Sequence, residues 1–127
     1  MTKSRRILIF LFLALAALFI YEDKTGEPDY YEKGEASYYA RSLQGRSTAS
    51  GESFHHDSLT AAHPTLPMGT KLRVVNLENN RSVIVRVNDR GPFAKDRILD
   101  LSRAAFKELA PLEKGVIRVG IVRMESN

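Results

Sequence analysis

The segment RVNDRGPF, residues 86–93, places a carboxylate where the chain turns sharply. Asp89 follows residues that alternate between apolar and polar, as in a strand, and it precedes a Gly-Pro pair. A carboxylate at a strand end can be aimed into a cleft, where it can exchange a proton with a bound substrate. It can equally cap the turn by accepting hydrogen bonds from backbone amides. The spacing alone favours neither role.

Two further acids lie in different settings. Asp100 stands between Leu99 and Leu101, just before a predicted helix. It is either a partly buried acid or an acceptor for the backbone amides at the helix entry, and the second interpretation has slightly more weight. Glu52 follows Gly51 in a loop rich in Ser, Thr and Gly, where a glutamate is ordinarily solvated and idle.

The histidines do not form a recognisable metal-binding pattern. His55 and His56 are adjacent, and adjacent side chains of an extended segment point in opposite directions. Their spacing to Asp57 and His63 matches no known zinc pattern, so we predict no metal site. His63, alone before Pro64, is more typical of a hydrogen-bonded structural residue than of a catalyst.

The elements that must position these side chains are mostly strands. Residues 71–77 and 82–88 predict a hairpin, because Asn79 and Asn80 tolerate the left-handed backbone of a tight turn. In its second strand the alternation predicts one face with Val83, Val85 and Val87 and the other with Arg86 and Asn88.

Further strands are predicted for residues 35–39 and 116–124, and a short apolar run covers residues 59–62. One helix is expected from Arg103 to Leu109, with Ser102 as its N-cap and Pro111 as its stop. Several short strands around one small helix predict a compact, mainly β barrel. Tyr38 and Tyr39 form either a sugar-stacking surface or, more plainly, a half-buried strand pair.

The N-terminus predicts export. Lys3, Arg5 and Arg6 precede an uninterrupted apolar run over residues 7–21. As a helix this run would be about 22 Å long, and we interpret residues 1–21 as a signal peptide or, preferentially, an uncleaved membrane anchor. The polar residues 22–33 are predicted to be a linker, and residues 34–125 the folded domain.

Length and composition set further limits. The 127 residues suffice for one domain, and we expect a monomer. The chain has no cysteine, which excludes disulfides, thiolate metal sites and a cysteine nucleophile. Its net charge of +4 suits an anionic polymer, and export makes peptidoglycan a better candidate than nucleic acid. The arginines are scattered along strand-like segments, however, which is more typical of a solvated face.

Five ordered segments resemble the rare lipoprotein A family, whose members are septal lytic transglycosylases. They read GEASYYA, GRSTASGE, LTAAH-x-TLP-x-GT, VRVNDRGPF and RILDLS, and the resemblance covers roughly residues 34–124. It implies a six-stranded double-psi β-barrel with one or two short helices, related in architecture to the expansins. It also implies an enzyme of the cell envelope that needs no cofactor, either periplasmic and tethered to the inner membrane or secreted.

The resemblance assigns roles to the candidate residues. It makes Asp89 the general acid and brings Glu52, His63 and Asp100 into the catalytic cleft. Further substrate-binding positions are expected at Tyr38, Tyr39, Thr48, His55 and Arg90. His55 stands where the family usually has an aspartate, so one cleft carboxylate is replaced.

The implied reaction is cleavage of the β-1,4 bond between N-acetylmuramic acid and N-acetylglucosamine, without water, to give a 1,6-anhydro end. One residue can act first as acid and then as base. Two alternatives stay open. The replacement at His55 favours an expansin-like barrel that binds glycan without cutting it, and a pair such as Asp89 and Asp100 would suit a hydrolase.

Overall fold

A computed structural model describes residues 27–125. The predicted N-terminal signal or anchor helix, residues 1–21, lies outside the described residues, as does the first part of the predicted linker. The described elements, in chain order, are β1 (Glu32–Tyr38), a 3-10 turn (Arg41–Leu43), β2 (Thr60–Ala62), β3 (Lys71–Asn76), β4 (Ser82–Asp89), β5 (Arg97–Leu101), α1 (Arg103–Leu109), a 3-10 turn (Leu112–Lys114) and β6 (Ile117–Arg123).

The six strands close into a barrel in the order β1-β5-β2-β4-β3-β6, and β6 pairs with β1. Two of the pairs, β1 with β5 and β2 with β4, are parallel. The other four pairs are antiparallel. The prediction of a mainly β, six-stranded barrel with a short helix is therefore confirmed. Closure also leaves none of the six strands with an unpaired edge.

The β3–β4 hairpin forms as predicted. Asn80 adopts φ 62°, the left-handed conformation that asparagine tolerates, and its amide donates to the Asn76 carbonyl. The apolar alternation fills the barrel interior. The buried core comprises Ala36, Ala61, Leu72, Val74, Val83, Val85, Val87, Leu99, Leu101, Ile117, Val119 and Ile121, with Leu66, Ile98 and Ala110 at its margins and the helix residues Ala105, Phe106 and Leu109.

Helix α1 packs against the core through the predicted apolar stripe and is held by its N-cap. The Ser102 hydroxyl accepts a hydrogen bond from the Ala105 amide and donates one to the Ser58 carbonyl. Ser102 is fully buried, so both bonds are shielded from water. The cap thereby joins the helix to the long β1–β2 connection.

The barrel begins slightly earlier than the sequence suggests. β1 starts at Glu32, two residues before the predicted domain boundary and three before the predicted strand. The Tyr31 amide already donates to the Ile121 carbonyl, and the Tyr30 ring packs where a side chain at Gly120 would otherwise stand. The first residues of β1 are thus polar and still form a strand, because their backbone pairs with β6.

The pairing of β2 with β4 contains a register shift. Thr60 and Ala61 face Arg86 and Val87, but Ala62 faces Asp89, so Asn88 is an extra residue. Asn88 is only 2% exposed, which corrects the simple alternation that placed it on the outer face with Arg86. The bulge has a direct consequence for Asp89. In strict alternation Asp89 would follow Val87 into the core, whereas the extra residue turns it outward.

Among residues 27–125 there is no helix with both the length and the apolar character that a membrane crossing requires.

Replacing Ser102 by Ala should destabilise the domain through α1. The substitution removes the cap and leaves the Ala105 amide and the Ser58 carbonyl without their partner, so we expect a loss of about 2 kcal/mol in unfolding free energy. Urea denaturation measures it. Ser42→Ala, at an exposed serine, is the matched control, and equal losses in the two variants would contradict the capping role.

Candidate active site

A row of residues on the outer face of the barrel brings two of the predicted acids together. Ala62 of β2 faces Asp89 of β4 on one side and Asp100 of β5 on the other, and Asp100 faces Ser37 of β1. Cross-strand partners share a face. Asp100 points outward because its neighbours Leu99 and Leu101 point into the core. Asp89 and Asp100 are therefore two strands apart, about 10 Å between Cα atoms.

The Asp89 side chain is fixed by three donors. Its Oδ1 accepts hydrogen bonds from the backbone amides of Ala49 and Arg90, both at 2.9 Å. Its Oδ2 accepts one from the Tyr39 hydroxyl at 2.6 Å. Asp89 is half-buried and faces outward. The structure thus confirms that the residue binds turn amides, whereas its role in proton exchange stays a prediction.

Tyr39 is held rigidly beside Asp89. Its ring stacks on buried Phe54, with centroids 4.2 Å apart and planes 13° from parallel. Burial above all, together with the hydrogen bond to Asp89 and the negative charges of Asp89 and Asp100, raises the pKa of Tyr39 well above its ordinary value. The hydroxyl therefore stays protonated and remains a donor to the carboxylate.

The loop between β1 and β2 forms one wall of the site. Backbone bonds join Phe54 to Gly45 and Arg46, which folds the loop on itself. The Ser50 amide then donates to the carbonyl of Asn88, the bulged residue, at 3.1 Å. This contact fixes the loop at the position from which the Ala49 amide reaches Asp89.

Glu52 lies in the same loop but is paired. Its carboxylate receives two hydrogen bonds from the Arg86 guanidinium, at 2.6 and 3.2 Å. These bonds, aided by Asn88 and Ser50, hold the pKa of Glu52 below its ordinary range. Thr48, which is buried, supports the loop by donating from its hydroxyl to the Glu52 carbonyl.

Asp100 is also paired with an arginine. Its Oδ1 accepts hydrogen bonds from Arg97 Nη2 at 2.6 Å and from the Ser37 hydroxyl at 2.8 Å. Ser37 lies on β1, which borders β5 on the side away from Asp89, and Arg97 lies on β5 itself. Within residues 27–125, Asp89 makes no ion pair, unlike the other two predicted acids.

His63 is 3% exposed and holds a turn. Its Nδ1 accepts hydrogen bonds from the amides of Thr65 and Leu66, both at 3.1 Å, so the ring proton is on Nε2. Nε2 lies 3.0 Å from a carboxylate oxygen of Glu32, to which it donates. The His63 amide donates to the Asp89 carbonyl, which links this turn to the end of β4.

The other predicted substrate-binding side chains make contacts within the protein. Arg90 Nη1 donates to the carbonyls of His63 and Leu66. The Tyr38 hydroxyl donates to the Leu112 carbonyl, and its ring meets Phe106 edge to face. His55 is exposed and its Nδ1 lies 2.9 Å from the Gln44 side-chain nitrogen. None of these three side chains forms a hydrogen bond with Asp89, although the backbone amide of Arg90 does.

The groups that bind the three candidate acids and His63 were not apparent from the sequence. Arg86, Arg97 and Glu32 appear in it as ordinary charged strand residues, and the Ala49 amide carries no side-chain signal at all. Only the alternation of β4, which places Arg86 on the face opposite to the valines, indicated a position beside the site. No group of three or more residues with metal-ligating side chains is arranged around a common point in the part of the chain that the structure describes.

The profile of the family described as lytic transglycolase matches residues 31–121. The chain belongs to this family. Its fold is accordingly the double-psi β-barrel that the sequence resemblance implied. The match extends from the residue before β1 to the middle of β6, so it includes every element that positions Asp89.

Two relatives illustrate the similarity. The chain is 53% identical over 95 residues to the probable endolytic peptidoglycan transglycosylase RlpA of Treponema pallidum, covering 75% of this chain and 30% of the relative. It is 47% identical over 108 residues to the endolytic peptidoglycan transglycosylase RlpA of Haemophilus influenzae, covering 84% of this chain and 37% of the relative. The chain thus spans about a third of the length of these relatives.

Solved structures share the barrel. The Streptomyces papain inhibitor superposes with a TM-score of 0.57 at 30% identity, over 76% of this chain and all of that one. A mutant of the Clavibacter michiganensis expansin in complex with cellohexaose gives a TM-score of 0.58 at 25% identity, over 73% of this chain and 50% of that one.

His63 should stabilise the domain through the two amides that it accepts. We expect His63→Ala to lower the unfolding free energy by about 2–4 kcal/mol, because the Thr65 and Leu66 amides lose their acceptor. His63→Asn offers an oxygen near the position of Nδ1 and should lose less than about 2 kcal/mol. Chemical denaturation distinguishes them, and equal losses would exclude the amides as the cause.

Tyr39 should make the unfolding free energy depend on pH in the alkaline range. Its pKa is raised in the folded state above its ordinary value of 10.0, so its contribution is fully present below pH 10 and is lost as the pH rises further. Unfolding free energies at pH 8, 10 and 11 should therefore fall more steeply for the parent than for Tyr39→Phe. Parallel curves would show that the folded barrel does not protect this hydroxyl.

Proposed function

We propose that this chain is a lytic transglycosylase that cleaves the β-1,4 bond between N-acetylmuramic acid and N-acetylglucosamine in peptidoglycan, with Asp89 as its proton donor. The observation that carries the proposal is the setting of Asp89, a half-buried carboxylate that is oriented by three donors and that, among residues 27–125, has no arginine partner. Family membership and the names of the relatives support the reaction class.

In the proposed reaction, protonated Asp89 transfers its proton to the glycosidic oxygen as the bond to the muramic acid C1 breaks. N-acetylglucosamine leaves with a free 4-hydroxyl group. The Asp89 carboxylate then takes the proton of the muramic acid C6 hydroxyl, whose oxygen closes onto C1 to give the 1,6-anhydro end. No water is consumed, and Asp89 regains its proton for the next cycle.

The arrangement of the other acids supports a lyase rather than a hydrolase. A retaining hydrolase needs its two carboxyl groups about 5 Å apart, and an inverting one needs a second carboxylate free to activate water. Asp100 is two strands away and is bound to Arg97, and Glu52 is bound to Arg86. We propose that Glu52 and Asp100, with their arginines, border the glycan and tune the charge of the cleft.

A second candidate function is glycan binding without cleavage. The likeness to the expansin in complex with cellohexaose favours it. In this alternative the same outer face binds the polymer, Asp89 acts only as a hydrogen-bond acceptor, and the exposed His55 stands in place of a cleft carboxylate.

The remaining expectations fit either function. We propose that the domain works in the cell envelope, in the periplasm, tethered to the membrane by residues 1–21 or released after their cleavage. The net charge of +4 supports an anionic polymer as partner rather than nucleic acid. We further propose that it acts as a monomer, because closure of the barrel satisfies the strand edges within one chain.

Asp89→Asn should abolish cleavage while the barrel remains folded. Removal of a general acid typically costs 10²–10⁴-fold, so we expect at least about a 100-fold loss of anhydro-ended fragments. The measurement is mass spectrometry of purified glycan strands after incubation with the purified chain. Asp96→Asn is the matched control, because Asp96 is exposed and its positive φ of 69° is tolerated by asparagine.

Each other outcome assigns a different function. Reducing ends in place of anhydro ends would establish hydrolysis. Strands that are retained by the parent but never cut would establish the binding alternative, and His55→Asp would then show whether the replaced carboxylate restores cleavage. Full activity of Asp89→Asn would remove Asp89 from the mechanism.

A further inference from the structure

The two oxygens of Asp89 are not equivalent. Oδ1 accepts from two backbone amides, those of Ala49 and Arg90. An amide N–H can only donate, so a proton on Oδ1 would compete with these donors and would cost at least one of the two bonds. Oδ2 accepts only from the Tyr39 hydroxyl, among the donors within residues 27–125. The proton of the acid form is therefore carried by Oδ2.

Tyr39 can remain bound in both protonation states of Asp89. A hydroxyl rotates about its C–O bond and can donate to the carboxylate or turn its hydrogen away and accept. Its oxygen is fixed, because the ring stacks on Phe54 and the backbone of Tyr39 is tied at both its amide, which donates to Leu101, and its carbonyl, which accepts from Arg103.

We propose that Tyr39 is the positioning residue of the acid, which fixes Oδ2 as the oxygen that exchanges the proton and stabilises the carboxylate as the proton leaves. The role rests on the proposed function, and it moves Tyr39 from the sugar-binding surface to the acid itself. Its hydroxyl is engaged with Asp89 and one ring face is covered by Phe54.

The charged groups around the pair are fixed by partners of their own. On β5, Asp100 is bound to Arg97, and its negative charge makes a small contribution to the raised pKa of Tyr39. On the loop and β4, Glu52 is bound to Arg86. Arg90 directs its guanidinium to the carbonyls of the turn after His63. Removing the Tyr39 hydroxyl therefore deletes the one side-chain hydrogen bond that Asp89 accepts within residues 27–125 and leaves these pairs in place.

The test is Tyr39→Phe, which keeps the stack on Phe54 and deletes only the hydroxyl. A hydrogen bond to a charged group supports a roughly 10- to 100-fold effect, so we expect kcat for glycan cleavage to fall by that factor. KM should change less than about twofold, because no sugar contact is lost. Tyr31→Phe, at an exposed tyrosine, is the control and should keep parental activity.

A second readout separates positioning from structural damage. Carbon-13 NMR of labelled aspartate reports the environment of the Asp89 carboxyl group without substrate. The hydroxyl donates to this carboxylate, so its loss should shift the Asp89 carboxyl resonance and move the alkaline limb of the pH–rate profile upward. Tyr31→Phe should move neither.

The outcomes are distinguishable from failure of the proposed function. An unmoved carboxyl resonance with unchanged kcat in Tyr39→Phe would overturn the inference even if the parent cleaves glycan. A raised KM with unchanged kcat would also overturn it and return Tyr39 to sugar binding. A parent that cuts no glycan while the carboxyl resonance still moves would remove the proposed reaction and leave the hydrogen-bond assignment supported.

Discussion

The bulge at Asn88 is the feature on which the site depends. β2 and β4 are parallel neighbours, and one extra residue in β4 places Asp89 opposite Ala62 instead of in the core. The core favours this arrangement, because Val83, Val85 and Val87 point into an apolar interior. A charged side chain that followed them inward would be buried without a partner, at a high cost in free energy. The carbonyl of Asn88 also binds the Ser50 amide, so the same distortion docks the loop whose Ala49 amide reaches the acid.

Asp89 differs from the other two candidate acids in the charge of its hydrogen-bond partners. Glu52 and Asp100 each contact an arginine, whereas the donors to Asp89 are two amides and a tyrosine. An uncharged donor orients a carboxylate without supplying a permanent counter-charge, so the proton can come and go at lower cost than in an ion pair. Such an arrangement suits a residue that must serve as acid and base in the same cycle.

Local patterns predicted the elements well because their causes are local. The Val alternation of β4, the tight turn at Asn80, and the Ser102 cap with its buried stripe in α1 each depend on neighbours within a few residues. The strand start at Glu32 was missed, since that strand is stabilised by backbone pairing with β6 and by Tyr30 packing over Gly120, contacts almost ninety residues apart in the chain.

A small β-barrel and the identities of the residues that could carry chemistry follow from the amino-acid sequence, because strand periodicity and motif order are local properties of the chain. Which of those residues meet depends on the folded arrangement of the strands. The tertiary structure joined Tyr39 to Asp89, paired Glu52 with Arg86, and turned His63 toward Glu32. These contacts depend on the register between strands and on one added residue in β4, and a side-chain period of two reverses face whenever the register shifts by one.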